Sequence, residues 1–123
     1  MRVVLILTLL FLTGPAWAID VQRVAAKGGL EAWLVEDHTN PIIAMRFAFR
    51  GGAALDPKGK EGLADMVAST LDEGAGGLDS QAFQGRLDDL SIKLSFDAGR
   101  DNFGGRLTTL TENSEQAFDL LRL

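Results

Sequence analysis

The sequence contains no cysteine and a single histidine, His38. The absence of cysteine excludes disulfide bonds, thiolate metal sites and cysteine nucleophiles. Ser69, Ser80 and Ser91 have no histidine nearby, so a Ser-His-Asp triad is not supported. The sequence also has no basic cluster interleaved with aromatic residues, and its formal net charge is −5. Nucleic acid is therefore not expected as a partner, because binding phosphates requires clustered cations.

Residues 1–18 have the organisation of a secretory signal peptide. Arg2 is followed by an apolar run, by the helix-breaking pair Gly14-Pro15 and by Ala16-Trp17-Ala18, a small-residue cleavage pattern. The apolar run is shorter than the ~20 residues of a membrane span, so we predict cleavage after Ala18 and no stable membrane span afterwards. A retained N-terminal anchor is the alternative. Export without cysteine favours a periplasmic or secreted location.

Without residues 1–18, eleven basic residues face seventeen acidic ones, a formal charge of −6. Residues 19–123 have the periodicities of an α+β domain in the order β-β-β-α-α-β-β-α. Alternation predicts strands over 21–26, 30–37, 42–50, 91–99 and 101–110, with a hairpin turn at Lys27-Gly28-Gly29. Helices are predicted within 61–76, over 80–90 and over 114–123. Because strands and helices come in blocks, we expect a mostly antiparallel sheet with helices packed on one face.

Several local signals refine this prediction. Asp79 or Ser80 is expected to cap the second helix, and Asn113 or Ser114 the third. Gly104-Gly105 indicates either a bulge or a close backbone approach. The last helix has no C-cap before Leu123, so we expect the chain to be the N-terminal portion of a longer protein.

The helix within 61–76 divides into two faces. Its apolar members fall on one stripe: Leu63, Met66, Val67, Thr70 and Leu71. Its polar members gather on the opposite arc: Asp65, Ser69, Asp72 and Glu73. The glycines of 74–77 follow the helix and do not precede one, so they indicate a helix stop and not a phosphate-binding loop.

This order of elements resembles the insulinase/pitrilysin (inverzincin) family of zinc metallopeptidases. The resemblance rests on "FRGGAALDP" after the third strand, on "GKEGLAD" where the family reads Gly-x-Ala-His, and on "RLDDLSIKLSFDAGRDNFGGRLTTLTENSEQAFDLLRL". This last stretch is similar to the family's second helix, strand-turn-strand and start of the third long helix. The resemblance covers roughly residues 20–123 and implies the family's α+β fold.

The active family motif is His-x-x-Glu-His on a helix. The two histidines must be four residues apart to reach one zinc ion, and the glutamate takes a proton from zinc-bound water. Aligning residues 62–64 with the family's Gly-x-Ala places Asp65, Ala68 and Ser69 at these three positions. The motif is therefore degenerate. We predict no catalytic, cofactor-binding or metal-binding residue in this chain, with Asp65 as a remnant ligand and His38 as a metal ligand the alternatives.

The resemblance implies a non-catalytic partner subunit, or pseudoenzyme. In this interpretation zinc is held by an active peptidase subunit of the same family, and the substrate is an extended peptide. The alternative is an active zinc peptidase whose metal site lies in a part of the protein beyond Leu123. A third interpretation is a periplasmic structural or chaperone-like domain without a peptidase partner. A His-x-x-Glu-His motif downstream would separate the first two.

Overall fold

The computed structural model describes residues 19–123, and the predicted signal peptide lies outside the described residues. The elements are β1 Gln22–Ala25, β2 Glu31–Leu34, β3 Ile42–Arg50, α1 Leu63–Thr70, α2 Ser80–Asp89, β4 Lys93–Ala98, β5 Asn102–Leu110 and α3 Ser114–Arg122. Short 3₁₀ turns occupy Ala53–Leu55 and Thr111–Asn113. The predicted α+β class and element order are thus confirmed. In the described part of the chain, no helix combines the length and the apolar content needed to span a bilayer.

The chain divides into two compact units, with the boundary after His38. In the first unit, β1 and β2 pair as an antiparallel hairpin. Gly28 and Gly29 form its turn with φ of 102° and 84°, which residues with a side chain rarely adopt. The predicted hairpin is confirmed, although both strands are shorter than their alternating patterns suggest.

The second unit, residues 39–123, contains a three-stranded antiparallel sheet in the order β3-β5-β4. Its register places Met45 opposite Leu107 and Leu107 opposite Leu94. The register runs through Gly104 and Gly105 without an extra residue, so the glycines do not form a bulge. They instead mark a close approach, because a Cβ atom on Gly104 would come within 2.7 Å of the Phe47 carbonyl oxygen.

One face of this sheet is covered by α2 and α3. The buried cluster joins side chains of both helices to side chains of β4, of β5 and of the residue before β4: Phe83, Leu87, Ile92, Leu94, Leu107, Ala117 and Leu120. Each large apolar side chain buried here contributes about 1.5–3 kcal/mol. The helical members of the cluster recur at helical spacing, Phe83 with Leu87 and Ala117 with Leu120, so one stripe of each helix faces the sheet.

The ends of α2 and α3 are fixed by different polar contacts. Asp79 caps α2, and its Oδ1 accepts a hydrogen bond from the Ala82 N–H at 2.8 Å. Asn113 precedes α3 without capping it, and its Nδ2 donates instead to the Leu90 carbonyl oxygen at 2.8 Å. Asn113 therefore ties the start of α3 to the end of α2.

Helix α1 is buried differently from the other two helices. Four apolar residues of its predicted stripe are exposed, Met66 by 67% and Leu63, Val67 and Leu71 by about 41–42% each. The buried residue of α1 is Ala68, with 5% exposure. The helix lies against β4 and contributes nothing to the main cluster. Its small alanine side chain allows close packing there and leaves the larger apolar side chains facing outward.

Candidate functional site

The loop before α1 is held by the turn between β4 and β5. Three backbone N–H groups of the loop donate to carbonyl oxygens of this turn: Gly51 to Asp101 at 3.0 Å, Ala53 to Gly99 at 2.9 Å and Ala54 to Arg100 at 2.8 Å. Between them, Gly52 has a φ of 106°, and a Cβ atom there would collide with backbone oxygens of the turn. The second glycine of "FRGGAALDP" is therefore required for this contact.

Asp56, in the same sequence motif, caps α1 from outside the helix. Its Oδ2 accepts hydrogen bonds from the N–H groups of Gly62 at 2.7 Å and Leu63 at 3.1 Å. Its Oδ1 accepts from the Ala64 N–H at 3.0 Å. The formal N-cap residue, Gly62, has no side chain to do this. One carboxylate thus satisfies three donors at the positive end of the helix.

The three degenerate motif positions lie on α1 but face different environments. Asp65 is exposed on the first turn, Ala68 is buried and Ser69 is exposed. The Ser69 hydroxyl donates to the Met66 carbonyl oxygen at 3.0 Å, within its own helix. This surface therefore offers one carboxylate and one hydroxyl, a donor set that does not fit zinc, which requires at least three nitrogen, sulfur or carboxylate ligands.

The other acidic residues near α1 contact α2. The Ser80 hydroxyl donates to Glu73 Oε2 at 2.6 Å, and Gln84 Nε2 donates to the Asp72 carbonyl oxygen at 2.8 Å. His38 belongs to the other unit, in an exposed loop where its Nε2 lies 3.6 Å from Glu36 Oε2. Among residues 19–123, no three His, Asp or Glu side chains come together in a way that could hold a metal ion.

Strand β4, which α1 contacts, has an open outer edge. Within residues 39–123 it pairs with β5 alone. Gly99 N–H donates to the Asn102 carbonyl oxygen at 2.8 Å, which makes these two a hydrogen-bonded pair. Because such pairs alternate along an antiparallel ladder, the backbone groups that point to the open edge belong to Leu94, Phe96 and Ala98. The site therefore combines a helix that carries Asp65, Ala68 and Ser69 at the motif positions with a strand edge whose backbone donors and acceptors are unpaired among the described residues.

Two solved structures are similar to this chain, and one of them belongs to peptidase family M16, the insulinase/pitrilysin family. The structure is similar to an M16 peptidase inactive domain from Pseudomonas fluorescens, with a TM-score of 0.75 and 25% identity, over 83% of this chain and 25% of that one. The described residues therefore share the fold of part of this M16 domain. A protease from Helicobacter pylori shares the fold with a TM-score of 0.68 and 18% identity, over 84% of this chain and 25% of that one.

At the level of sequence, the M16-like chain is similar to the non-peptidase homolog YmxG of Helicobacter pylori, with 32% identity over 87 residues. The match covers 71% of this chain and 20% of that protein. No protein-family model matches the sequence. The chain thus spans about a fifth of its curated relative and a quarter of each solved structure. Two of these three relatives have names that describe them as inactive or non-peptidase.

Sequence reasoning missed two parts of this site. It assigned no role to Asp56, although an acidic residue upstream of a helix that begins at a glycine is a signal for a distant cap. It also did not identify β4 as the strand beside α1, because strand order is not encoded in the period of any one segment.

Proposed function

We propose that this chain is part of a non-catalytic M16 protein that acts as a partner subunit of an active zinc peptidase in peptide or protein processing. The observation that carries the proposal is the combination of an M16 fold with Asp65, Ala68 and Ser69 at the positions of the zinc motif. Zinc, the attacking water and the proton transfers then belong to the active subunit.

The open edge of β4 is the peptide-binding element in this proposal. An extended peptide can add to a sheet edge through main-chain hydrogen bonds, which do not require a metal in the chain that supplies the edge. The six residues of β4 offer about 20 Å of strand at ~3.3 Å per residue. Helix α1 flanks this strand, so a chain that has lost catalysis can still contribute to the substrate-binding surface.

The exposed stripe of α1 supports contact with another protein. Leu63, Met66, Val67 and Leu71 are each more than 40% exposed on one short helix. Contiguous apolar side chains on a protein surface are typical of interaction sites. In the proposed complex this stripe and the adjacent Asp65 and Ser69 face the active subunit or the chamber that it shares with this chain.

The proposal also includes a cellular location, and it has one alternative. The pattern of residues 1–18 supports a periplasmic or secreted protein. The alternative is an active zinc peptidase with its metal site in a part of the protein beyond Leu123. It predicts stoichiometric zinc in the purified protein in the absence of any partner.

A mixed-subunit peptidase assay tests the proposal. The protein is combined with an active M16 subunit from the same organism, and hydrolysis of a fluorogenic peptide is measured against each protein alone. We expect turnover from the pair, and a D65A/S69A double variant with a kcat unchanged within about two-fold. If the double variant assembles normally but abolishes turnover, these residues are catalytic and the proposal is wrong.

A substitution at the strand edge tests the peptide-binding role separately. Ala98→Pro removes a backbone N–H that points away from β5, a position where an edge strand tolerates proline. We expect a higher KM at unchanged kcat. Ser95→Ala, an exposed change in the same strand, is the matched control and should leave KM unchanged. An A98P variant with an unaltered KM would remove β4 from the substrate-binding surface.

A further inference from the structure

The face of the sheet opposite α2 and α3 carries a cluster of cations. Alternation along the three strands places Arg46 and Arg50 of β3, Arg106 of β5 and Lys93 of β4 on this face. All four residues are exposed. Asp97 is the acidic residue that β3, β4 and β5 contribute to the same face. A chain with a net charge of −5 thus presents a locally positive surface.

The central pair of this cluster consists of two arginines directly opposite each other. Arg46 pairs with Arg106 in the register of β3 and β5. The Gly51 N–H donates a hydrogen bond to the Asp101 carbonyl oxygen, so these two residues form a hydrogen-bonded pair. Hydrogen-bonded and non-hydrogen-bonded pairs alternate along the ladder, and Arg46–Arg106 lies five pairs further on, at a non-hydrogen-bonded position. Opposed side chains are closest at such positions, and like charges there are destabilising.

None of the four cations is neutralised within the described structure. The ion pairs of residues 19–123 join Arg23 to Glu31, His38 to Glu36 and Arg122 to Asp119. Asp97, although on the same face, forms no ion pair within 4.0 Å. No ion pair among the described residues therefore offsets the repulsion between Arg46 and Arg106.

The same face has a depression of about 250 Å³ next to Arg46. Gly104 forms part of its lining because it has no side chain, and Arg46 and Asp97 lie on its walls. The volume is large enough for one protruding side chain. The wall thus presents a cation and an anion to whatever enters it.

We propose that this cationic sheet face, defined by Arg46, Arg50, Arg106 and Lys93, docks an acidic segment of another protein. Charge complementarity identifies the class of occupant, because four exposed cations lack internal partners. The depression next to Arg46 accepts one side chain of such a segment. None of the four cations belongs to α1 or to the edge positions Leu94, Phe96 and Ala98, so the inference does not depend on the function proposed above.

The test is a binding titration with the purified protein. The probe is fluorescein-labelled octaglutamate, and fluorescence anisotropy is measured at low and at physiological salt. We expect binding that weakens with salt, and about ten-fold weaker binding by an R46Q/R106Q variant at low salt, since two of four favourable charge contacts are lost. An R46K/R106K variant should retain binding within about three-fold.

Two controls separate this site from general electrostatics. A K27Q/K58Q variant removes the same charge from exposed lysines elsewhere and should change affinity by less than about two-fold. The melting temperature of R46Q/R106Q should be equal to or higher than that of the wild-type protein, because a like-charge pair is removed. A lower melting temperature would mean that the arginines stabilise the fold, which contradicts the proposal.

Two further probes decide the class of occupant. An eight-nucleotide oligothymidylate and vesicles containing phosphatidylglycerol are titrated under the same conditions. Tighter binding of either probe than of octaglutamate would replace the acidic protein with nucleic acid or with a membrane surface. Absence of octaglutamate binding at low salt, or equal losses in R46Q/R106Q and K27Q/K58Q, would overturn the docking site altogether.

Discussion

The carboxylate of Asp56 should be one of the largest single polar contributions to stability in the second unit. Asp56→Ala removes three hydrogen bonds, of 2.7, 3.1 and 3.0 Å, from the first turn of α1. Loss of an N-cap side chain costs about 0.5–2 kcal/mol, and loss of the negative charge at a helix N-terminus adds about 0.3–1 kcal/mol. We therefore expect a decrease of about 2 kcal/mol in the free energy of unfolding.

Asp56→Asn separates the two contributions. The amide retains one acceptor oxygen, but its NH₂ group faces donors, so one side of the cap is lost together with the charge. We expect a decrease of about 1 kcal/mol, between the wild-type protein and D56A. Urea denaturation followed by circular dichroism measures these differences, and hydrogen exchange at Gly62, Leu63 and Ala64 localises them.

Asp89→Ala is the matched control for this series. Asp89 is exposed in the last turn of α2, where a negative charge is unfavourable, so its removal should leave stability unchanged or slightly increased. An N-cap usually contributes ~0.5–2 kcal/mol. If the free energies of unfolding of D56A and D89A differ by less than about 0.5 kcal/mol, the three contacts do not hold α1 and the reasoning is refuted.

Other predictions concern the motif helix, a titrating group and processing. Isothermal titration should detect no tight stoichiometric zinc binding by the wild-type protein, and a single tight site would contradict the donor set of α1. The D65H/A68E/S69H variant, which restores the family motif, should have at most partial zinc affinity. Its free energy of unfolding should be lower by about 2 kcal/mol or more, because the new glutamate replaces Ala68, which is only 5% exposed. Urea denaturation of this variant and of A68E alone measures the difference. The Gly59 N–H donates to Glu61 Oε1 at 3.0 Å and lowers the pKa of this carboxyl below its ordinary value of 4.5. Because the pKa of Glu61 is lower in the folded state, the ionised carboxylate stabilises the fold at pH values above the ordinary pKa, and this effect is lost as the pH falls through the folded-state pKa. An NMR titration that finds an ordinary pKa for Glu61 would contradict the contact. Mass spectrometry of the exported protein should find Ile19 at the N-terminus, and an intact Met1 would favour an anchored form.

The elements that the sequence predicted best are those whose period agrees with their burial. Strand 42–50 was predicted with the bounds that β3 has, and Phe83 and Leu87 of α2 face the core as their spacing indicates. Helix α1 has an equally clear apolar stripe, but Met66 is 67% exposed and Ala68 is the residue that packs inward. Periodicity identifies a face that must be covered, whereas the partner that covers it depends on tertiary contacts.

Only the residue types at the motif positions of the candidate site could be predicted from the sequence. The positions of Asp65, Ala68 and Ser69 followed from the spacing of a family motif, and the structure places all three on α1. The Asp56 cap joins residues only six to eight positions apart. The hydrogen bonds of segment 51–54 to the turn between β4 and β5, in contrast, join residues more than forty positions apart, which local patterns do not specify.

The central place of β5 has a consequence for the order in which the sheet forms. Strands β4 and β5 are joined by a tight turn, whereas β3 pairs with β5 only after about fifty intervening residues have been synthesised, from Arg50 to its partner Asn102. Closing such a loop costs about 3–4 kcal/mol in chain entropy, whereas the β4–β5 hairpin forms locally within microseconds. We therefore expect the hairpin to form early and β3 to dock late. Since the loop that holds α1 bonds to the hairpin turn, α1 would acquire its final orientation at the end of folding, after the surface beneath it is complete.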